Sequence, residues 1–281
     1  FGRDFIIDLA KLDQEGIASL ITQYFRGFEN IVPQGSIMSA LGNFNKIQSL
    51  SNCFVIPPPY DSYGGIFKTD EQIAQLEKRR GGVGTNINTL RPEETVVSNA
   101  AGTSTGAHSF MSRYSNTTRE VAQNGRRGAL MLLMSCLHPD IFKFVTKKKD
   151  RTQVTGANIS SMLTDKFILA AENDDDFICR FPIDTEIVSG STEGIEYNKL
   201  YTNPSNSKIQ YMKIHAKELF DLIVEMAHEN AEPGVAFIDR IKNYCPEGVY
   251  PQFLPIASNP CGEQWMQAYD ACRLLAVNLY N

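Results

Sequence analysis

The sequence predicts an α/β fold with parallel strands. The short apolar run 129–136 has the length of a buried strand, and 157–163 reads as a further strand. Segments such as 165–172 and 216–230 carry apolar residues at helical spacing. The two kinds alternate along the chain, which is the rhythm of strand–helix–strand units.

The elements follow in order. Ile17, Leu20, Ile21, Tyr24 and Phe25 form the stripe of an amphipathic helix over 13–27. Residues 31–52 read as a loop, and Cys53–Ile56 as a short strand stopped by Pro57-Pro58-Pro59. Thr69 to Gln72 fits a capping box and predicts a helix over 70–80. Lys78, Arg79 and Arg80 suit its C-terminal end, and Gly81 suits its cap. A strand is expected at 83–90, a loop at 92–107 and a helix at 109–123. Strand 129–136, helix 139–147, strand 157–163 and helix 165–172 follow. Residues 184–214 break the rhythm with alternating Ile187, Ile195, Tyr197 and Leu200, and predict a hairpin-like β insertion. Helix 216–230 and strand 234–239 resume it, 241–258 is a long connection, and 272–280 is strand-like.

The chain has 281 residues, 42% hydrophobic and 21% charged, with a formal charge of −5. This is the composition of a soluble globular protein, and the acidic balance argues against a nucleic-acid-binding surface. No apolar run is long enough to span a membrane, and no signal peptide is visible. Together these give a cytoplasmic expectation. The chain opens on Phe1, so its natural start is expected upstream. His108, His138, His215 and His228 form no metal-spaced pair, and no metal site is expected. Of six cysteines, Cys136, Cys179 and Cys245 read as small buried hydrophobes.

The remaining three cysteines carry the chemistry. Asn259-Pro260-Cys261-Gly262-Glu263, if extended, sends Asn259, Cys261 and Glu263 to one side. An amide, a thiol and a carboxylate then share one small volume, able to hold a hydroxyl, abstract an atom and take a proton. Cys53 lies far upstream in Leu50-Ser51-Asn52-Cys53, and Cys272 shortly downstream.

This string resembles the finger loop of the ribonucleotide reductase catalytic subunit. Gly81-Gly82-Val83-Gly84-Thr85-Asn86-Ile87, Asn124-Gly125-Arg126-Arg127-Gly128-Ala129, His138-Pro139-Asp140-Ile141, Asn158-Ile159-Ser160 and Glu232-Pro233-Gly234-Val235-Ala236-Phe237-Ile238-Asp239-Arg240 resemble further segments of that family, in the expected order. The resemblance implies a ten-stranded α/β barrel of two five-stranded parallel halves. This chain would hold the first half, the finger loop at 259–263 and the start of the second half, with the rest absent and the piece alone inactive.

The resemblance also implies roles. Cys261 would carry a thiyl radical, Glu263 would act as general base and Asn259 would hold the ribose hydroxyls. Cys53 and Cys272, on adjacent parallel strands, would supply the reducing equivalents. Ser36, Asn52, Cys53 and Gly82 would touch the substrate alongside the finger loop. Asp61, Ser62, Arg91, Gly125, Arg126 and Arg127 would bind a deoxynucleoside triphosphate or ATP effector at a homodimer interface. The form of the loops is closer to relatives that use adenosylcobalamin than to those that receive a radical from a separate metal-containing small subunit. A thioredoxin- or glutaredoxin-type protein would restore the dithiol. Two rival readings are a catalytically silent nucleotide-binding or dimerisation fragment and a thiol–disulfide oxidoreductase using Cys53 and Cys272.

Overall fold

The computed structural model describes residues 11–121, 127–187 and 194–280. The chain divides into two compact units, Cys53–Cys272 and, separately, Phe1–Asn52 with Arg273–Asn281. In the smaller unit, α1 (Gln14–Phe25) starts at Asp13, whose carboxylate accepts from Gly16 N at 2.8 Å. β1 (Ile31–Pro33) pairs antiparallel with Leu275–Val277 and precedes the short helix α2 (Ser36–Ala40).

The larger unit is built on one sheet. β2 (Cys53–Val55) leads through α3 (Tyr63–Glu77) to β3 (Gly82–Asn86), and α4 (Met111–Glu120) leads to β4 (Leu130–Ser135). α5 (Ile141–Val145) then precedes β5 (Asn158–Leu163). After α6 (Asp165–Glu172), strands β6 (Asp176–Phe181), β7 (Tyr201–Asn203) and β8 (Asn206–His215) form a separate antiparallel sheet in the order β6-β8-β7. α7 (Ala216–Asn230) returns the chain to β9 (Gly234–Phe237) and α8 (Ile238–Tyr244). A small hairpin, β10 (Ala257–Ser258) and β11 (Trp265–Met266), is followed by β12 (Ala271–Cys272). The central order is β12-β2-β3-β4-β5-β9. The five strands from β2 to β9 are mutually parallel, and β12 runs antiparallel on the β2 edge. The α/β class holds, with a parallel-dominated sheet consistent with part of the expected barrel.

β4 shows why a parallel strand reads as an unbroken apolar run. Leu130, Leu132 and Met134 pack into the core beneath the helices, with Ile73, Tyr114, Phe144 and Phe167. Met131 and Leu133 point to the opposite face, with Val55, Ala257 and Met266. Each fully buried side chain of this size contributes roughly 1.5–3 kcal/mol.

Several local expectations are corrected. α3 begins not at Thr69 but after Ser62, whose hydroxyl accepts from Gly65 N at 3.1 Å, while Thr69 is buried inside the helix. Its end is shaped by Arg80 at φ +74°, with Gly81 N donating to Leu76 O at 3.0 Å, so the left-handed position is Arg80 rather than Gly81. β6 and α8 carry no expectation from the sequence. Residues 272–280 are not one strand, since β12 and Leu275–Val277 pair in different sheets. Cys245 is half-buried, whereas Cys136 and Cys179 are fully buried.

Candidate active site

The β10–β11 hairpin lies along the sheet, from the carboxyl end of β3 to its amino end. At its root, Asn86 Nδ2 donates to Ile256 O at 3.0 Å. Midway, Ser258 passes over Gly84, where an added Cβ would stand 1.7 Å from Ser258 O. Near the tip, Pro260 covers Gly82, whose Cβ would meet the ring at 2.7 Å, and Asn158 Nδ2 donates to Pro260 O at 3.1 Å. The glycines of β3 therefore make room for a second backbone. Gly82, expected to touch substrate, is buried beneath Pro260.

The tip is a turn, which corrects the extended reading. Gly262 takes φ +87° and its N–H donates to Asn259 O at 3.0 Å. Asn259 is fully buried and organises the turn from within. Its Oδ1 accepts from Gly262 N and Gln264 N, both at 3.1 Å. Its Nδ2 donates to Glu263 Oε1 at 2.7 Å and faces Cys53 Sγ at 3.6 Å. Asn259 and Glu263 thus meet across the turn rather than along a strand, and Cys261 at its apex is exposed.

Cys53 and Cys272 are direct cross-strand partners. The strands are antiparallel, not parallel as expected. Such partners stand about 4.5–5.5 Å apart at Cα, inside the roughly 4.4–6.8 Å range that a disulfide needs. All three cysteines are free thiols. Burial pushes the Cys53 thiol up to about 12, with the Cys272 thiol adding to the rise and the Asn259 amide opposing it. Cys261 is also raised, first by partial burial, then by the Glu263 carboxylate and the Cys272 thiol. Both are protonated near neutral pH, the form that can give up a hydrogen atom.

The apex of the turn faces a cavity of about 620 Å³. Cys261 lines it together with Phe237, Trp265, Ser160, Glu232 and Arg240. The other expected residues lie elsewhere. Ser36 and Asn52 belong to the smaller unit, where Ser36 N donates to Asn52 Oδ1 at 2.5 Å and Asn52 Nδ2 is a buried donor without a partner. Asp61 and Ser62 line a separate cavity of about 250 Å³ with Arg91, whose Nε bonds Asp61 Oδ2 at 2.7 Å. Arg127 is exposed, and Gly125 and Arg126 lie outside the described residues. No cluster able to hold a metal occurs among the described residues. Asn86 and Asn158, which fasten the hairpin, lie in segments that resemble the family, but their role as its anchors was not expected from the sequence.

The fold and the site define an α/β sheet protein with a thiol–amide–carboxylate turn laid across its parallel strands, beside a cross-strand thiol pair. The family model for the ribonucleotide reductase barrel domain matches residues 51–281, and the chain belongs to that family. It is 33% identical over 264 residues to a vitamin B12-dependent ribonucleoside-diphosphate reductase of Thermoplasma acidophilum, covering 91% of this chain and 31% of the relative. A Mycobacterium tuberculosis protein of the same description is 34% identical over 234 residues, covering 82% of this chain and 30% of the relative. A ribonucleoside-diphosphate reductase large subunit of Caenorhabditis elegans is 28% identical over 196 residues, covering 68% and 25%. The chain therefore spans about a third or less of these relatives' length.

Proposed function

We propose that this chain is catalytic sequence of a ribonucleotide reductase, converting ribonucleotides to 2′-deoxyribonucleotides by thiyl-radical chemistry. The observation that carries the reading is the Cys53–Cys272 cross-strand pair beside the Asn259-ordered turn of Cys261 and Glu263. Cys261, as a thiyl radical, takes the 3′ hydrogen of the ribose. Glu263 receives the 3′-hydroxyl proton, and Asn259 fixes the carboxylate for that task. Water leaves C2′ with the former 2′-hydroxyl oxygen. Cys53 and Cys272 together give two electrons and two protons and become a disulfide, Cys261 returns its hydrogen to C3′, and Glu263 returns its proton to the 3′ oxygen. An external dithiol, in the cell a thioredoxin- or glutaredoxin-type protein, resets the pair.

The B12-dependent relatives support adenosylcobalamin as the radical source over a separate metal-containing subunit. The cavity beside Cys261 fits its nucleoside end. Phe237 and Trp265 offer apolar walls, and Ser160, Glu232 and Arg240 offer polar partners. When bound, the cofactor supplies a carbon radical able to abstract a hydrogen atom. The cavity at Asp61, Ser62 and Arg91 supports the effector reading, with Arg127 as part of the second effector loop and a homodimer as the assembly. The unpartnered Asn52 Nδ2 supports the reading of Asn52 and Ser36 as nucleotide contacts.

The test is a reduction assay of the full-length enzyme with a ribonucleotide and a dithiol, with and without adenosylcobalamin, on wild type and Cys261→Ser. Deoxynucleotide formation should require the cofactor and vanish in the variant. Turnover that survives in Cys261→Ser would reject the radical assignment.

A further inference from the structure

The first residue of β5, Asn158, is gripped on both sides by an ion pair. Lys148, just past α5, donates from Nζ to Ala157 O at 2.8 Å. Glu232, just before β9, accepts at Oε1 from Ile159 N at 2.9 Å. Lys148 and Glu232 pair with each other, with only 17% and 20% of their side-chain surface exposed. Largely buried charges need further hydrogen bonds to offset their desolvation. Here those bonds go to the main-chain groups that flank Asn158. The β5–β9 ladder begins only at Ser160, opposite Gly234, so the ion pair supplies a hold where the ladder does not reach.

The Asn158 side chain carries that hold to the reactive turn. Its Nδ2 donates to Pro260 O, the carbonyl of the peptide that leads into Cys261. Gly84, Met131 and Asn158 are register partners in a row across β3, β4 and β5. The turn stands on all three. Ser258 presses on Gly84, and Met131 Cε lies 3.9 Å from where a Cβ on Gly262 would stand. Those two contacts are steric, and they only stop the turn from sinking. The Asn158 bond is directional, and it keeps the turn from lifting or sliding.

We propose that Lys148, Glu232 and Asn158 form one brace that positions Cys261 for hydrogen abstraction. The ion pair fixes the backbone at 158, Asn158 fixes the Pro260–Cys261 peptide, and the sulfur is thereby held at its working distance from the ribose. The proposal rests on the reductase reading. In the step concerned, the C3′–H bond breaks and an S–H bond forms at Cys261 as one hydrogen atom moves. Its rate depends steeply on how the two atoms are placed. The three residues are positioning residues, acting through Cys261 and not on the sugar.

The test uses the full-length enzyme with a dithiol, adenosylcobalamin and a ribonucleotide carrying hydrogen or deuterium at C3′. Asn158→Asp keeps the shape of an exposed side chain, but its carboxylate cannot donate to Pro260 O. It should lower kcat about tenfold, the worth of one hydrogen bond, with KM near that of wild type. The deuterium isotope effect on kcat should rise, because abstraction becomes the slow step. A smaller folded fraction would lower kcat and leave the isotope effect alone. Lys148→Met should raise the isotope effect in the same way, and Lys148→Arg, which keeps the charge, should stay closer to wild type. A wild-type kcat in Asn158→Asp, or a lowered kcat with an unaltered isotope effect, would overturn the proposal. Amide exchange over residues 259–264 gives a second readout that needs no turnover, and Asn158→Asp should quicken it about tenfold. If wild type reduces no ribonucleotide, the reductase reading fails and exchange decides the brace: quickened exchange upholds its grip on Cys261, and unaltered exchange overturns it.

Discussion

The two ends of the parallel sheet differ in what brings chemistry to them. At the carboxyl ends, the loops after β3 and β5 build a cavity in the ordinary manner of α/β folds. At the amino ends, the strands themselves supply little beyond Cys53, and the reactive turn arrives on the β10–β11 hairpin. The sheet's part is to leave space, through Gly82 and Gly84, and to fasten the visitor at two points, through Asn86 and Asn158. A catalytic group on an inserted element is only as well placed as the surface beneath it.

Four experiments press on that contrast. The largest effect belongs to Cys261→Ser, which should lower ribonucleotide reduction by about a thousandfold or more. Next comes Gly84→Ala, whose methyl would collide with Ser258 O. Denaturant titration should show a loss of about 3 kcal/mol, since strand and hairpin backbones must separate. A neutral result would mean that the hairpin does not depend on β3.

Smaller effects follow. Glu77 is fully buried at the end of α3, close against Gly128, and burial lifts its carboxyl to about 7. A folded value above the unfolded one gives stability that is complete below about pH 4.5 and is lost as pH rises through 7. Glu77→Gln should remove that slope and leave the variant more stable at pH 8 by about 2 kcal/mol, read from unfolding midpoints across pH. Asn86→Ala should cost the least, about 1 kcal/mol. A more sensitive readout is a rise in proteolytic cleavage of the hairpin without change in the cavity at Asp61.

The fold class was legible because β4 is apolar on both faces and α7 is periodic over its whole length, Ala216–Asn230. The start of α3 was not, because Gly64 and Gly65 hide its first turn while Thr69 imitates a cap. β6 was missed because an acidic run, Asp174 to Asp176, stands where a strand begins. At the site, the residue types of 259–263 were legible and their geometry was not. Alternation assumed an extended backbone, whereas Pro260 and a left-handed Gly262 signal a turn. The approach of Cys272 to Cys53 reads from the family pattern, but the antiparallel sense arises only from how β12 meets the sheet edge.

The larger unit begins at Cys53 and ends at Cys272. A bond between these sulfurs would therefore turn the whole unit into a covalent ring, hairpin included. Closing a loop of that length removes chain entropy from the unfolded ensemble worth about 5 kcal/mol. Each turnover would thus toughen the body against heat and denaturant, and each visit by a reductant would relax it.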